Sequence, residues 1–571
     1  MAEDKIKIRI DNENVEIETG KTILEACEEM GKEIPTLCYL TEINEVGACR
    51  MCIVEDKKTG KLMASCITPV QEDMDISTNS NKVRKTRKMN LEFLLSNHTI
   101  DCPTCIKNEN CELREMAENM GIRDNRFEGR KSDFEKDKST PSLIRDPEKC
   151  ILCRRCESVC REVQSVEAIM AEGRGFDTVV NAAFYEKLED SPCVLCGQCA
   201  TVCPTGAIVE KEYTEEVWEA LADKDKHVVV QTAPAVRVAL SEGFDLKPGT
   251  IFTGQMVAAL RRLGFDRVFD TNFTADLTIM EEGHELIDRI QSGGELPLFT
   301  SCSPGWIKFI EHQYPEFLAN LSSCKSPQQM FGAVAKSYYT EKNEIDVEDM
   351  VVVSIMPCTA KKYEAQRPEL DGDVDYVLTT RELARMIKQA GIDVNNLPEE
   401  KHDKLLGTSS GAADIFGTTG GVMEAALRTA YEVITGEEAP VIDFEMVRGD
   451  YGKIKQAEIE INDLTVKVAV SNGLANAREL LERMKQGEEY HFVEFMACPG
   501  GCIGGGGQPL PATEEVISRR KEALYDIDSN KQLRKSHKNP YIQKLYNEYL
   551  GEPGSHKAHQ LLHTKYKSRG I

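Results

Sequence analysis

Twenty-one cysteines, most of them bunched into short runs, constrain this chain more than anything else in its sequence. Disulfide scaffolds belong mostly to small chains in oxidising compartments. This chain has 571 residues and an apolar content of 41%, enough to build several cores without cross-links. Its first residues, MAEDKIKIRI, contain neither an apolar signal core nor a twin-arginine pair, so a cytoplasmic location is expected. Bunched cysteines in such a chain point to metal ligation. No run of about 18 apolar residues occurs, so no membrane association is expected. The formal charge of -25 argues against nucleic acid, whose binding needs a basic face. Two local basic stretches stand out: Lys82, Arg84, Lys85, Arg87 and Lys88, and the tail from Lys531 onward. Both read as solvated helix faces, with a docking surface for an acidic electron carrier as the alternative.

The strongest motif is an internal repeat over 150–210. CILCRRCESVC supplies Cys150, Cys153, Cys156 and Cys160, and CVLCGQCATVCP supplies Cys193, Cys196, Cys199 and Cys203. In the bacterial double-cubane pattern the fourth cysteine of each run ligates the other cluster. One 4Fe–4S cubane is therefore expected on Cys150, Cys153, Cys156 and Cys203, the other on Cys193, Cys196, Cys199 and Cys160. Zinc ribbons use two pairs of cysteines, not two runs of four. The first run lacks the trailing proline, which does not change the ligand count. Cys38, Cys49, Cys52 and Cys66 lie in a β-rich segment and resemble, in a looser spacing, the plant-type 2Fe–2S pattern. Cys27, on a helix, reads as a small buried hydrophobe. His98, Cys102, Cys105 and Cys111 form a third group. Between a 2Fe–2S domain and a double-cubane domain, a further 4Fe–4S cluster with one imidazole ligand fits better than zinc, and the imidazole would shift its potential.

The chain divides accordingly. Residues 1–78 are β-rich: KIKIRI and NVEIE alternate as strands of a hairpin turned at Asp11–Asn14, and TILEACEEMG follows as a helix ending at Gly31. Residues 79–120 read as helical and 121–149 as a charged connection. From about 213 apolar strands (HVVVQTA, DRVFDTN, LPLFTS, VVVSIMP, VKVAVSN, HFVEFMA) alternate with amphipathic helices, an α/β pattern. The expected fold is an α+β multidomain chain: a β-grasp 2Fe–2S domain over 1–78, a small helical His/Cys3 domain over 79–140, a double 4Fe–4S ferredoxin domain over 141–212 and a two-lobed α/β domain over 213–571.

In that last region cysteines become sparse and each key one sits just after a strand, where open α/β sheets place their ligands. FTSCSPGW contains Cys302 and Ser303, SIMPCTAKKYE contains Cys358, and EFMACPGGCIGGGGQP contains Cys498 and Cys502. Ligands so far apart in sequence meet only through the fold, as a cofactor buried between two lobes requires. Glycines 504–507 are expected to let backbone approach that cofactor. With the cluster motifs before them, these three motifs resemble the large FeFe (iron-only) hydrogenases, monomeric or catalytic subunits of NAD(P)-linked complexes, over essentially the whole chain.

The resemblance implies reversible conversion of protons and electrons to H2 at an H-cluster, a cubane joined through a thiolate to a two-iron unit carrying CO, cyanide and a dithiolate amine. It implies Cys502 as the bridging thiolate, Cys358 and Cys498 as cubane ligands, and Lys361 as a donor to a cyanide. Met356, Met496, Ala233, Pro234 and Gln328 are implied to line the two-iron unit, and Glu282, Glu285, Ser322 and Arg289 to form the proton path. Glu282, Glu285 and Arg289 also share a helix face by spacing. FTSCSPGW departs from the family, which shows two adjacent cysteines, a proton relay followed by a cubane ligand. In that register Cys302 is the relay and Ser303 the ligand. Donor strength favours Cys302 as the ligand, because a hydroxyl ionises far less readily than a thiol. Cys324 reads as structural. An electron-transfer subunit, an H2 sensor and an iron–sulfur assembly protein are the rivals. The three late motifs oppose the first and the intact Cys358, Cys498 and Cys502 set opposes the last. No Gly-rich dinucleotide fingerprint follows a strand, so electrons are expected to come from ferredoxin or from separate flavin- and NAD(P)-binding subunits.

Overall fold

The computed structural model describes residues 5–370, 372–461 and 464–570; the first four residues of the N-terminal stretch lie outside it. Strands β1 (Lys5–Ile10) and β2 (Glu13–Glu18) pair antiparallel with Ile10 opposite Glu13. The hairpin turn is therefore the two residues Asp11 and Asn12, shorter than the expected Asp11–Asn14. Both have positive φ, 49° and 73°, which Asp and Asn tolerate better than other side chains and which matches the strand twist. Alternation puts Ile8, Ile10 and Ile17 into a core shared with Ile23, Leu24, Ala26 and Cys27 of the helix Ile23–Glu29. A capping box starts that helix: Thr22 Oγ1 accepts from the Glu25 amide and the Glu25 carboxylate accepts from the Thr22 amide. Strands β3 (Ile53–Asp56), β4 (Leu62–Ala64) and β5 (Asp75–Ser77) complete a five-stranded sheet in the order β2-β1-β5-β3-β4.

The helices Asn81–Asn97 and Glu112–Asn119 follow. Arg87 is no solvated cation, since its guanidinium is buried and donates to the Ile53 carbonyl. Two small antiparallel pairs, β6 (Leu143–Arg145) with β9 (Ile208–Glu210) and β7 (Met170–Glu172) with β8 (Val179–Asn181), frame the paired cysteine runs.

The remainder has two four-stranded sheets. The first, β11-β10-β13-β14, is wholly parallel and comprises β10 (His227–Thr232), β11 (Arg267–Asp270), β13 (Met350–Met356) and β14 (Tyr376–Thr379). Helices cover both faces, which is why β10 and β13 are runs of buried Val and Ile rather than alternating. The second, β12-β17-β16-β15, comprises β12 (Leu298–Phe299), β15 (Ile454–Ile461), β16 (Leu464–Asn472) and β17 (Phe492–Met496), with only β15 antiparallel. Four cations of the basic tail are used inside this region, while Lys538, Lys544, Lys557, Lys565 and Lys567 are exposed, as a solvated face would have them. Lys531 pairs with Asp414, Arg534 with Asp528 at 2.6 Å, Lys535 with Glu432, and Arg569 with Glu311 at 2.7 Å. These cations satisfy carboxylates that are themselves buried, so neither the solvated-face nor the docking-surface expectation holds for them.

Candidate active site and cluster sites

Loops leaving the carboxyl ends of β10, β12, β13 and β17 converge on one cavity. Ala233 and Pro234 follow β10, Cys302 and Ser303 follow β12, Met356 and Cys358 end β13 and its loop, and Met496, Cys498 and Cys502 follow β17; all line it, with Gln328 and Lys361. Every residue implied to surround the two-iron unit thus faces one space. The glycines of 504–507 also allow close packing between loops. A Cβ on Gly505 would collide with the Pro357 carbonyl and one on Gly506 with the Cys196 carbonyl. They bring the Cys502 loop hard against other cysteine loops, and only Gly505 of the four lines the cavity.

Burial pushes the cavity thiols up, Cys502 to about 12 with the neighbouring Cys358 adding to it, and Cys358 and Cys498 likewise. Thiols so placed stay protonated unless a bound cation draws the proton off, as iron does. The Gln328 Oε1 is buried without a partner, while its Nε2 donates to Glu364 at 3.1 Å. Three soft donors, an orphaned polar atom and a largely apolar wall fit an iron–sulfur group. Lys361 Nζ pairs with Glu364 at 2.8 Å, a partner the i, i+3 spacing in KKYE could have disclosed. Cys302 and Ser303 face different neighbours. The Cys302 thiol is raised by burial and then by Glu282, with Cys502 and Lys361 also near. Ser303 Oγ accepts from the Ala497 amide at 3.3 Å, beside Cys498.

Glu282, Glu285 and Arg289 lie on the helix Asn272–Ser292. Burial, and then Glu285, push the Glu282 carboxyl up to about 8, and its Oε1 has no partner. Ser322 Oγ donates to Glu285 at 3.1 Å, and Arg289 pairs with Glu285 at 2.6 Å. Cys324 is fully buried in the neighbouring core. Glu494, which the sequence reading missed, is a second buried acid near Cys302 and Cys502; burial pushes it to about 7 while the Gly420 and Met423 amides donate to it. A lone carboxylate inside the apolar run HFVEFMA was the available signal.

Cys150, Cys153, Cys156 and Cys203 line one small cavity, and Cys160, Cys193, Cys196 and Cys199 a second. Cys52 and Cys66 lie 3.2 Å apart, and the charge of Cys38 acts on both. Cys49 adjoins Cys38. Cys27 is buried in the apolar core. Cys102 and Cys105 both act on the Cys111 thiol. His98 Nδ1–H donates to the Lys149 carbonyl at 3.1 Å, leaving Nε2 as the free acceptor, and Lys149 also bonds toward Cys105. The sites are in physical contact. Asn44 Nδ2 donates to the carbonyls of both Cys38, at 2.6 Å, and Cys153, at 3.0 Å. Cys196 lines both its own cavity and the catalytic one. Lys308 donates to the Cys193 carbonyl and Gln198 to that of Gly504, binding the two regions together.

Comparisons with known proteins show the family. Residues 226–506 match the family described as iron only hydrogenase large subunit, C-terminal domain, and 514–569 match iron hydrogenase small subunit. Residues 3–81 match a 2Fe-2S iron-sulfur cluster binding domain, 87–126 the NADH-ubiquinone oxidoreductase-G iron-sulfur binding region, and 149–207 a 4Fe-4S dicluster domain. The NADP-reducing hydrogenase subunit HndD of Solidesulfovibrio fructosivorans is 52% identical, covering 99% of both chains. Iron hydrogenase 1 of Clostridium pasteurianum is 43% identical, covering 96% of this chain and 97% of its own. The apo FeFe-hydrogenase HydA1 of Chlamydomonas reinhardtii superposes with a TM-score of 0.57 at 46% identity, covering 63% of this chain and all of that one.

Proposed function

From the premise that this chain belongs to the iron-only hydrogenase family and is an oxidoreductase acting on hydrogen, we propose how its residues divide the handling of iron, protons and electrons. Cys358, Cys498 and Cys502 would hold the H-cluster, with Cys502 shared between cubane and two-iron unit and Ser303 at the fourth cubane position. When bound, that group supplies the iron chemistry that interconverts H2 with protons and electrons. Lys361, Met356, Met496, Ala233, Pro234 and Gln328 wall it in and exclude water.

Cys302 takes the relay role in this reading, against the argument from donor strength. What supports this is its surroundings: of the charged groups around it, Glu282 acts most on the Cys302 thiol, whereas Ser303 lies with Ala497 beside Cys498. The amide hydrogen bond at Ser303 would favour an anionic oxygen there. Glu282, protonated near neutral pH, holds the next proton, and Ser322 connects it to Glu285. Arg289 keeps the Glu285 carboxylate oriented.

The finer cofactor reading is one 2Fe–2S centre on Cys38, Cys49, Cys52 and Cys66, one cubane on His98, Cys102, Cys105 and Cys111, and two cubanes with crossed ligands, Cys203 joining the first run and Cys160 the second. The domain limits 1–78, 79–140, 141–212 and 213–571 go with it. Among the described residues no helix is long and apolar enough to cross a membrane, and a cytoplasmic location suits cysteines grouped for cluster ligation. For partners we favour flavin- and NAD(P)-binding subunits over ferredoxin alone. The likeness to an NADP-reducing hydrogenase subunit along nearly the whole chain and the match of 87–126 to an NADH-ubiquinone oxidoreductase region support this.

The single observation that carries the catalytic reading is the convergence of three motifs, from Cys302 to Cys502, on one cavity. Infrared spectroscopy of matured protein tests it. Bands of CO and cyanide together with H2 evolution are expected; iron-loaded protein lacking both would reduce the chain to an electron carrier. NADPH-dependent H2 evolution by the native complex, absent for the isolated chain, is the expected mark of the partner subunits.

A further inference from the structure

A proton path needs an outer end that gives up its proton, and Arg289 does not qualify. A guanidinium stays protonated in proteins and offers no acceptor. Glu285, however, has a second neighbour. Ser323 Oγ lies 3.2 Å from Glu285 Oε2 and 2.8 Å from His563 Nδ1, so one hydroxyl spans the carboxylate and the imidazole. His563 comes from the C-terminal segment, 240 residues away in sequence. It is pinned there by backbone bonds on both sides, Lys325 N to Leu562 O at 2.7 Å and Thr564 N to Ser323 O at 2.8 Å. Its Nε2 lies 2.9 Å from Glu281 Oε2, and Glu281 also accepts from Tyr546 and the Gly554 amide. Burial pushes the Glu281 carboxyl up, but these hydrogen bonds outweigh it and hold it below its ordinary value. A fixed anion at Nε2 keeps that nitrogen protonated and leaves Nδ1 as the working atom. Outward, the exposed His559 ring lies 4.2 Å from that of His563, centroid to centroid. The other ionisable groups around this pair are Glu281, Glu285, His284, Tyr546 and Cys324.

We propose that His563, reached from solvent past His559, is the outer proton donor and acceptor of this hydrogenase, and that Ser323 hands its proton to Glu285. The imidazolium Nδ1–H passes a proton to Ser323 Oγ as the Ser323 hydroxyl passes its own to Glu285 Oε2. His563 loses one proton, Glu285 gains one, and no electrons move. Rotation of the hydroxyl and uptake of a proton from solvent at Nδ1 restore the start, and H2 oxidation runs the sequence backward. The inference rests on the Cys302–Glu282–Ser322–Glu285 reading above and extends it to the surface.

The test uses the full-length matured protein with His563→Gln, His563→Ala, Ser323→Ala and, as control for the inner path, Glu282→Gln. His563→Gln is expected to lower H2 turnover on the order of 100-fold, the lower end of general acid–base contributions. The diatomic-ligand bands and the infrared carbonyl band of protonated Glu282 should stay unchanged. Imidazole in solution should restore turnover to His563→Ala, and Ser323→Ala combined with His563→Gln should be no worse than either alone. Wild-type turnover in His563→Gln across about pH 6–9, with Glu282→Gln inactive, overturns this inference and leaves the inner path standing. Loss of turnover in His563→Ala without imidazole rescue and with a displaced Glu282 band overturns it too, as a merely structural effect. Full turnover in Glu282→Gln overturns the inner path and this extension together.

Discussion

Glu282 is placed to hold a proton at the expense of stability, and Glu282→Gln measures both. Burial raises its carboxyl from an ordinary 4.5 to about 8. The folded state therefore binds this proton more tightly than the unfolded one, and stability is greatest below about pH 4.5 and declines as pH rises toward about 8. Over that window of about 3.5 pH units, at about 1.4 kcal/mol each, the charged form costs about 5 kcal/mol in full and about 3 kcal/mol at pH 7. Glutamine cannot ionise, so the variant escapes this decline. Its amide lies where Oε1 already lacks a partner, and an unsatisfied buried amide costs about 1–3 kcal/mol at every pH. The two stability curves should cross: the variant is weaker near pH 5 and stronger near pH 8, while its H2 turnover falls by about 100-fold or more. Chemical denaturation of matured protein across a buffer series reads the slope directly, expected to flatten by about one proton, about 1.4 kcal/mol per pH unit. Parallel curves for variant and wild type would falsify the claim that a neutral buried acid sits at position 282.

Other perturbations separate the remaining assignments. Ser303→Ala should remove the catalytic cubane's paramagnetic signal, whereas Ser303→Cys should keep it with a shifted midpoint potential; an unaltered spectrum in the alanine variant means Ser303 is no ligand. Cys203→Ala should abolish the signal of the cluster held by Cys150, Cys153 and Cys156 and spare that of Cys193, Cys196 and Cys199, and the opposite pattern refutes the crossed ligation. Gly506→Ala drives a methyl into the Cys196 carbonyl. It should destabilise the contact between the two regions by about 1–3 kcal/mol and slow reduction of the catalytic site by external donors, as stopped-flow absorbance would show.

How much was legible in the sequence follows from how locally each feature is encoded. The cysteine runs at 150–203 read directly, because cluster ligands a few residues apart carry their own spacing. The cavity was legible too, because Cys302, Cys358 and Cys498 each follow an apolar strand and the carboxyl ends of such strands converge. Strands β14 and β15 escaped the reading: one is four residues long, and the other, IKQAEIEI, alternates with charge at a sheet edge. The pairing of Lys531, Lys535 and Arg569 in the basic tail escaped because their partners, Asp414, Glu432 and Glu311, are distant carboxylates whose burial no local pattern announces. His563 escaped for the same reason, as nothing near it in sequence marks it as a neighbour of Ser323.

Protons and electrons place opposite demands on the fold, and the contrast explains where each is written. An electron crosses a gap between cofactors, so the protein need only bring cysteine loops into contact. Hydrogen bonds such as Asn44 to Cys153 and Thr359 to the Leu195 carbonyl, at 2.7 Å, do this between loops otherwise free to vary. A proton moves only along hydrogen bonds, so every atom from Glu282 to His563 must sit within about 3.2 Å of the next or of a bridging water. One rigid helix holding Glu281, Glu282, Glu285 and Arg289, with a C-terminal segment clamped by backbone bonds to the Ser323–Lys325 segment and tied to the helix through the Glu281 carboxylate, suits that tolerance better than a free loop. The tail of the chain therefore belongs to the proton machinery. Loosening it, by truncation before His556 for example, should cost turnover while leaving the N-terminal clusters reducible. Intact H2 evolution in the truncated protein would show that protons reach Glu285 by another way.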